Sequence, residues 1–315
     1  RYSTLLYKFF LLISIMPTIG ANYYVATSYG SDSNNGNSIN TPFKTIGKAA
    51  SVMSSGDKCY IRQGRYHETI TIDDLDGSSG SAIVFTNYNN ERVVIDGTTP
   101  ITSTWTRVGS SNIWRTKLSA DIWQLFINWE EQVMARWPNA KFSDDTIWDN
   151  DNYWAKGTID DDENAYTNGT IIDDPYTNSA GTAVDLNATG FDLDETNKQA
   201  IAILNLGSFK TWSRLVTSHS GNTFNYATVP TWKTKHHYYY LEGRKEFLDQ
   251  EGEWWYDTYN DADSLYYYAA NGVNPNRLDF RGKVQSYAFS ITGSQYVQIK
   301  NIEFYETKVY FSKGE

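Results

Sequence analysis

The residue pattern predicts an all-β chain: a solenoid of parallel strands, opened by a short capping helix and interrupted by an inserted antiparallel β domain. Three observations carry this. Residues 43–53 hold one clear helical period, with Phe43, Ile46, Ala49, Ala50 and Met53 three or four apart. After it the period drops to two, in short runs bounded by Gly, Asn or Asp, with no second helix to make a crossover. The same short-strand rhythm returns near the C-terminal end, after a long middle stretch that lacks it.

Residues 5–19 are almost wholly apolar, flanked by Arg1 and Lys8 and followed by Gly20-Ala21. The run is short for a bilayer span and reads as a secretory signal over residues 1–21, with a buried helix or an anchor as the alternative. The solenoid then starts, over residues 22–99. Tyr23-Tyr24-Val25 is a first strand, and a Gly/Asn/Ser loop leads through Thr41-Pro42-Phe43 into the helix, which covers the open edge of the first coil. Further strands follow at Lys58-Cys59-Tyr60-Ile61-Arg62, Thr69-Ile70-Thr71-Ile72, Ala82-Ile83-Val84-Phe85-Thr86 and Arg92-Val93-Val94-Ile95. In a solenoid of this kind inward side chains stack into one core, and corners need residues that tolerate unusual φ.

Residues 100–281 lose the rhythm. Acidic clusters at Asp144-Asp145, 149–152, 160–164 and Asp173-Asp174 separate runs of alternating or aromatic character, at residues 123–128, 199–204, 238–241, 254–256 and 264–268. This is the expected inserted domain. Coils resume over 282–315, in Tyr287-Ala288-Phe289-Ser290-Ile291 and in one run at 296–304. A solenoid needs at least about three stacked repeats and a terminal cap. The chain is therefore expected to be a C-terminally truncated piece of a longer protein, and its opening Arg an incomplete N-terminus.

Several motifs share an order with known proteins. Gly-Ser-Asp-x-Asn-x-Gly (30–36), Thr-Pro-Phe-Lys-Thr-Ile (41–46), Gly-Asp-x-x-Tyr-Ile-Arg-x-Gly-x-Tyr (56–66) and Val-Ile-Asp-Gly (94–97) resemble the entry of secreted right-handed parallel β-helix proteins, the pectate-lyase-like superfamily. Met134-Ala135-Arg136-Trp137-Pro138-Asn139, Tyr240-Leu241-Glu242-Gly243 and 247–257 are similar to β-helix glycoside hydrolases that carry an inserted β-sandwich. The resemblance implies a hydrolase on a complex plant or algal polysaccharide, with its catalytic carboxylates on later coils beyond Glu315.

Within the chain itself, hydrolysis would need two carboxyl groups about 5 Å apart, or about 6.5–9.5 Å apart for inversion. Glu251 and Glu253, and separately Glu303 and Glu306, are spaced permissively, but each also reads as ordinary turn or coil surface. Arg136 and Trp137 suit binding better: a planar fork of donors beside an indole that can stack on a sugar ring. The bland alternative is an Arg136 that bridges two sheets and a Trp137 that fills a core. Trp254 and Trp255 fall on opposite sides of a strand, so one packs and the other is open to ligand. The candidate binding set is Arg136, Trp137, Glu253 and Trp254.

A net charge of −10 and a pI near 4.9 argue against nucleic acid. The acidic surface also makes a strongly anionic glycan a less natural ligand, although a local basic groove can override the total. The single cysteine, Cys59, excludes an internal disulfide and reads as a small core residue. His67, His219 and His236-His237 lack zinc spacing. No cofactor is expected, with calcium on the acidic loops as the alternative; residues 192–197 lack an EF-hand glycine, carrying Asn197 in its place. Asn168-Gly169-Thr170 and Asn187-Ala188-Thr189 are glycosylation sequons. Aromatics at 16% of the chain fit either a sugar cleft or the filling of a β domain. The expectation is a secreted glycoside hydrolase with a polysaccharide substrate. A polysaccharide lyase and a non-catalytic glycan-binding surface protein are the rival readings, and fold analogy alone does not separate them.

Overall fold

The computed structural model describes residues 20–157, 169–196, 198–207, 210–229, 238–257 and 263–312. The apolar run 5–19, the acidic stretch 160–164, Asn168, Asn197 and His236-His237 lie outside these. The described chain is all-β, with a few short helical turns, and divides into two compact units: residues 20–98 with 285–312, and residues 99–284.

The first unit holds three parallel sheets that the chain visits in rotation. One sheet stacks Asn22–Val25, Lys58–Ile61, Ile83–Asn87 and Val297–Lys300 in that order. A second stacks Gly64–Tyr66, Val93–Asp96 and Glu303–Tyr305. The third stacks Ile70–Asp73, Tyr287–Thr292 and Lys308–Ser312. After the first strand, Asn22–Val25, each circuit contributes one strand per sheet, so identical faces align. Cys59 lies beside Phe85, Tyr66 beside Ile95, and Ile72 beside Ile291. Their side chains close into a core with Val25, Ile61, Ile70, Ile83 and Phe289, all at most 4% exposed. Burial pushes the Cys59 thiol far above its ordinary range, which makes it a core residue without thiolate chemistry.

The helix is shorter than its period predicts, spanning Ile46–Ala50. The Thr45 hydroxyl accepts from the Lys48 amide at 3.1 Å, and the Glu68 carboxylate accepts from the amides of Ile46 and Gly47 at 2.8 and 2.9 Å. Phe43 belongs instead to a bridge beside Val25, and Met53 buries from the loop that follows. The run 296–304 is likewise two strands, because Asn301 turns the corner between sheets with φ 55°. In the Val-Ile-Asp-Gly motif, Asp96 is buried and accepts from the Thr98 amide and hydroxyl and from Arg65. A Cβ at Gly97 would collide with the Glu306 carbonyl oxygen. The motif is a corner, fixed by crowding.

The second unit is antiparallel. Its largest sheet runs Arg136–Trp137, Tyr238–Glu242, Ile201–Asn205, Thr211–Ser220, Thr223–Tyr226 and Thr170–Ile172, with Ala155–Lys156 also paired to Tyr238–Glu242. A second sheet joins Trp254–Asp257, Ser264–Tyr268, Ile113–Lys117 and Thr106–Arg107; a third includes Glu130–Gln132, Leu125–Ile127 and Phe280–Lys283. The second sheet is covered on both faces. Trp254, Leu265 and Tyr267 enter one core with Trp105 and Phe280, while Trp255 and Tyr266 enter another with Leu204, Tyr239 and Leu241. Double-sided burial explains why 264–268 reads as a continuous apolar run rather than an alternating one. It also corrects the expectation that one of Trp254 and Trp255 is open: they are 1% and 8% exposed, because a strand between two cores has no wet side.

Phe85 and Phe289 meet edge to face at 5.4 Å, joining the two chain segments of the first unit. Phe85→Ala is expected to destabilise that unit by about 3–5 kcal/mol. The measurement is the denaturant midpoint; an unchanged midpoint contradicts this packing.

Candidate functional site

The most chemically furnished region of the second unit is built on the edge strand Arg136–Trp137. Arg136 stands directly opposite Glu242, and the two side chains share a face of the sheet with Tyr240, two residues back. The other face of the same strands carries Trp137, Tyr239 and Leu241 into the core, and there Trp137 packs on Phe191 and Tyr239 at centroid distances of 6.4 and 6.3 Å. Period-two alternation thus separates the expected Arg136–Trp137 pair: the arginine faces a hollow, the indole fills the interior.

Arg136 is 2% exposed. Its Nε donates to the Pro138 carbonyl at 2.9 Å and its Nη2 to the Tyr153 carbonyl at 3.0 Å, while the guanidinium lies 3.8 Å from the centre of the Tyr240 ring. Trp154 closes edge-on against Tyr240 at 4.8 Å. Burial holds the Arg136 guanidinium down to about 10, with Tyr240, Glu242 and Glu253 opposing that fall. The same burial lifts the Glu242 carboxyl to about 7 against the opposing pull of Arg136, and the Tyr240 hydroxyl to about 12. Glu242 therefore sits poised between its acid and its base near neutral pH.

Glu253 follows from a different local constraint. The backbone of 133–135 runs beside Trp254, with the Trp254 amide donating to the Val133 carbonyl and the Ala135 amide to the Trp254 carbonyl. This draws Glu253 under the Arg136 strand, 1% exposed. Its Oε2 accepts from the Gln250 and Asp249 amides at 3.1 and 3.2 Å, and its Oε1 has no hydrogen-bond partner among the described residues. Burial pushes this carboxyl up to about 8 against the opposing pull of the Gln250 amide, so at neutral pH it carries a proton.

Two hollows open here. One of about 310 Å³ is lined by Arg136, Tyr240, Glu242, Trp123, Trp148 and Gln124 among others. Its neighbour of about 720 Å³ is lined by Glu253, Glu130, Lys141, Ser143 and Tyr267 among others. They share Glu131, Gln132, Val133 and Phe142 as a common wall. Trp123 and Trp148 are 51% and 73% exposed at the mouth of the smaller one, with Phe142 tilted against Trp148 at 6.1 Å. Of the sequence-derived set, Arg136 and Trp254 line the smaller hollow and Glu253 the larger, while Trp137 lies in the core. Glu242, Tyr240, Trp123 and Trp148 complete the site without having been singled out. The alternation Tyr238-x-Tyr240-x-Glu242 was a signal for one polar face; its partner strand was not readable.

Of the carboxylate pairs weighed from the sequence, Glu303 is engaged by Arg92 at 2.8 Å, which holds it below the usual range. Glu251 lies exposed in a turn beside the buried Glu253. Among the described residues, no group of three or more His, Cys, Asp or Glu side chains is arranged to hold a metal ion.

No family profile matches the chain. A stretch of 76 residues, 24% of this chain, is 40% identical to the uncharacterized protein YwoF of Bacillus subtilis (strain 168) and covers 16% of it. A solved glycoside hydrolase superposes with a TM-score of 0.65 at 17% identity, over 91% of this chain and 51% of its own. The complex of XylC with xylose aligns at a TM-score of 0.42 and 17% identity, over 88% of this chain and 34% of its own. The chain thus spans about half the length of the first solved structure, and shares that structure's fold.

The raised carboxyls make stability pH-dependent with a definite sign. The folded unit retains protons on Glu242 and Glu253 that the unfolded chain releases above the ordinary 4.5, so their contribution is complete below that value and is lost as pH rises through about 7 and about 8. The unfolding free energy of the wild type is expected to fall across this window, relative to a Glu242→Gln/Glu253→Gln variant, by an amount on the order of a few kcal/mol, read out as a falling melting temperature. Parallel melting profiles from about pH 5 to about pH 8 for the two proteins would refute the assignment.

Proposed function

We propose that this protein is a secreted carbohydrate-active enzyme, a glycoside hydrolase acting on a complex plant or algal polysaccharide, and that the Arg136–Glu242 hollow binds its sugar. On this reading the rotating parallel sheets form a right-handed parallel β-helix, and residues 99–284 are its inserted β-sandwich. The likeness to a solved glycoside hydrolase supports the architecture; the apolar run at 5–19 supports secretion.

The observation that carries the site is the meeting of two exposed indoles with a half-buried, protonatable acid. The apolar face of a pyranose ring packs against Trp148 or Trp123. Its hydroxyls then find a cationic donor in Arg136, an amide in Gln124 and, in Glu242, a carboxyl that donates when protonated and accepts when ionised. A carboxyl near its midpoint at neutral pH is also matched to proton transfer toward a glycosidic oxygen. Hydrolysis requires a second carboxyl across the bond. Because Glu253 is enclosed and Glu303 is paired, the reading assigns this hollow sugar binding and leaves bond cleavage to the whole enzyme.

The test is affinity electrophoresis of the protein through gels containing neutral glycans such as xylan or β-glucan, with reducing-end and ultraviolet assays on these and on pectin and alginate. Retardation by at least one polysaccharide is expected, weakened roughly fivefold in Trp148→Ala, whose exposed side chain is not needed for folding. New reducing ends without ultraviolet absorbance mark a hydrolase, and unsaturated ends a lyase. Retention that Trp148→Ala and Trp123→Ala leave untouched overturns the site.

A further inference from the structure

We propose that the outer face of the first parallel sheet, in the 20–98/285–312 unit, is a second glycan site that takes an anionic polysaccharide through Lys58 and Lys300. This stands apart from the Arg136–Glu242 reading and uses none of its residues.

In-register parallel stacking makes the geometry simple. Asn22, Lys58, Val84 and Gln298 fall in one row across the sheet, and Tyr24, Tyr60, Thr86 and Lys300 fall in the next row on the same face. Lys58 and Lys300 are therefore two strands and one row apart, roughly 12 Å between Cα atoms. An open hollow of about 710 Å³ lies over this face, lined by Asn22, Lys58, Tyr60, Tyr296, Gln298 and Lys300 together with the loop 78–82, and among the described residues no carboxylate lines it.

The charge pattern around it is selective. The arginines of this unit are neutralised: Arg62 by Glu91 at 2.8 Å, Arg65 by Asp96 at 2.9 Å, and Arg92 by Glu303 at 2.8 Å. Asp57, the neighbour of Lys58, is buried, with its oxygens accepting from the amides of Ala21 and Ser54 at 2.6 and 2.7 Å. Neither Lys58 nor Lys300, both exposed, has an ion-pair partner among the described residues. In a chain of net charge −10 this hollow is a cationic exception.

Two ammonium groups on Cα atoms so far apart are matched by separate anions at intervals along one polymer rather than by a single carboxylate or sulfate. Hydroxyl and amide groups between them, from Tyr60, Tyr296, Asn22 and Gln298, suit sugar hydroxyls, and Tyr296 is 53% exposed for ring stacking. Two isolated lysines are too few for a nucleic-acid track, which takes a continuous basic stripe.

The experiment is affinity electrophoresis of the full chain in gels of polygalacturonate, dextran sulfate, neutral β-glucan or double-stranded DNA. Expected is retardation by polygalacturonate, dextran sulfate or both, the pair telling carboxylate from sulfate recognition. It should weaken roughly tenfold in Lys58→Ala/Lys300→Ala, persist in Trp148→Ala, and vanish near 0.5 M salt, where screening acts over about 4 Å. Circular dichroism of the double variant confirms folding. Retardation by neither polyanion, equal retardation of wild type and the double variant, or DNA binding as strong as polyanion binding overturns the proposal. Loss in Trp148→Ala alone would instead place anion binding in the other hollow and overturn it equally.

Discussion

Parallel, in-register pairing between strands far apart in the chain is the constraint on which the first unit rests. Ile83–Asn87 finds its next partner at Val297–Lys300, and Val93–Asp96 at Glu303–Tyr305, across the whole of residues 99–284. No local hairpin brings these segments together; what holds them is a shared interior of Phe85, Phe289, Ile95 and Ile291. Loop-closure entropy grows only slowly with length, so a long excursion costs little more than a short one once that interior forms. The core must form from both segments at once, which ties the order of the C-terminal coils to the first two circuits.

In the second unit the comparable constraint is the burial of a cation. Arg136 enters the interior with its Nε and Nη2 bonded to main-chain carbonyls and its flat face on Tyr240. A guanidinium so placed needs nearby negative or polarisable partners, and Glu242 stands opposite it by strand register alone. The proton affinity of that carboxyl is thus set by two opposed terms, desolvation raising it and the arginine lowering it. The hollow inherits a chemistry that neither strand would have on its own.

How much of this was legible follows from what each signal measures. The short runs around Cys59, Ile83 and Val94 mark strands within a residue or two of the observed limits; only the first alternates in burial, whereas Val93–Asp96 is buried throughout. The strand Gly64–Tyr66 was not legible, because three residues are too few to show a period, and Lys308–Ser312 was missed because Val309-Tyr310-Phe311 is a continuous exposed run without alternation. Tryptophans at 254 and 255 looked half exposed because alternation assumes one wet face, and nothing local announces a sheet packed on both sides. Arg136 was legible as a special residue by type, whereas Glu242 was not, since its role depends on a strand more than a hundred positions away.

The entry and exit of the middle unit meet within one turn: the Gln285 amide donates to the Gly97 carbonyl at 3.1 Å, and the Gly97 amide to the Tyr305 carbonyl at 2.9 Å. A chain that leaves and returns at the same point makes no demand on the length or content of what hangs between. Lineages with this scaffold are therefore free to exchange, enlarge or delete the appendage, diversifying ligand preference while the ladder beneath stays the same.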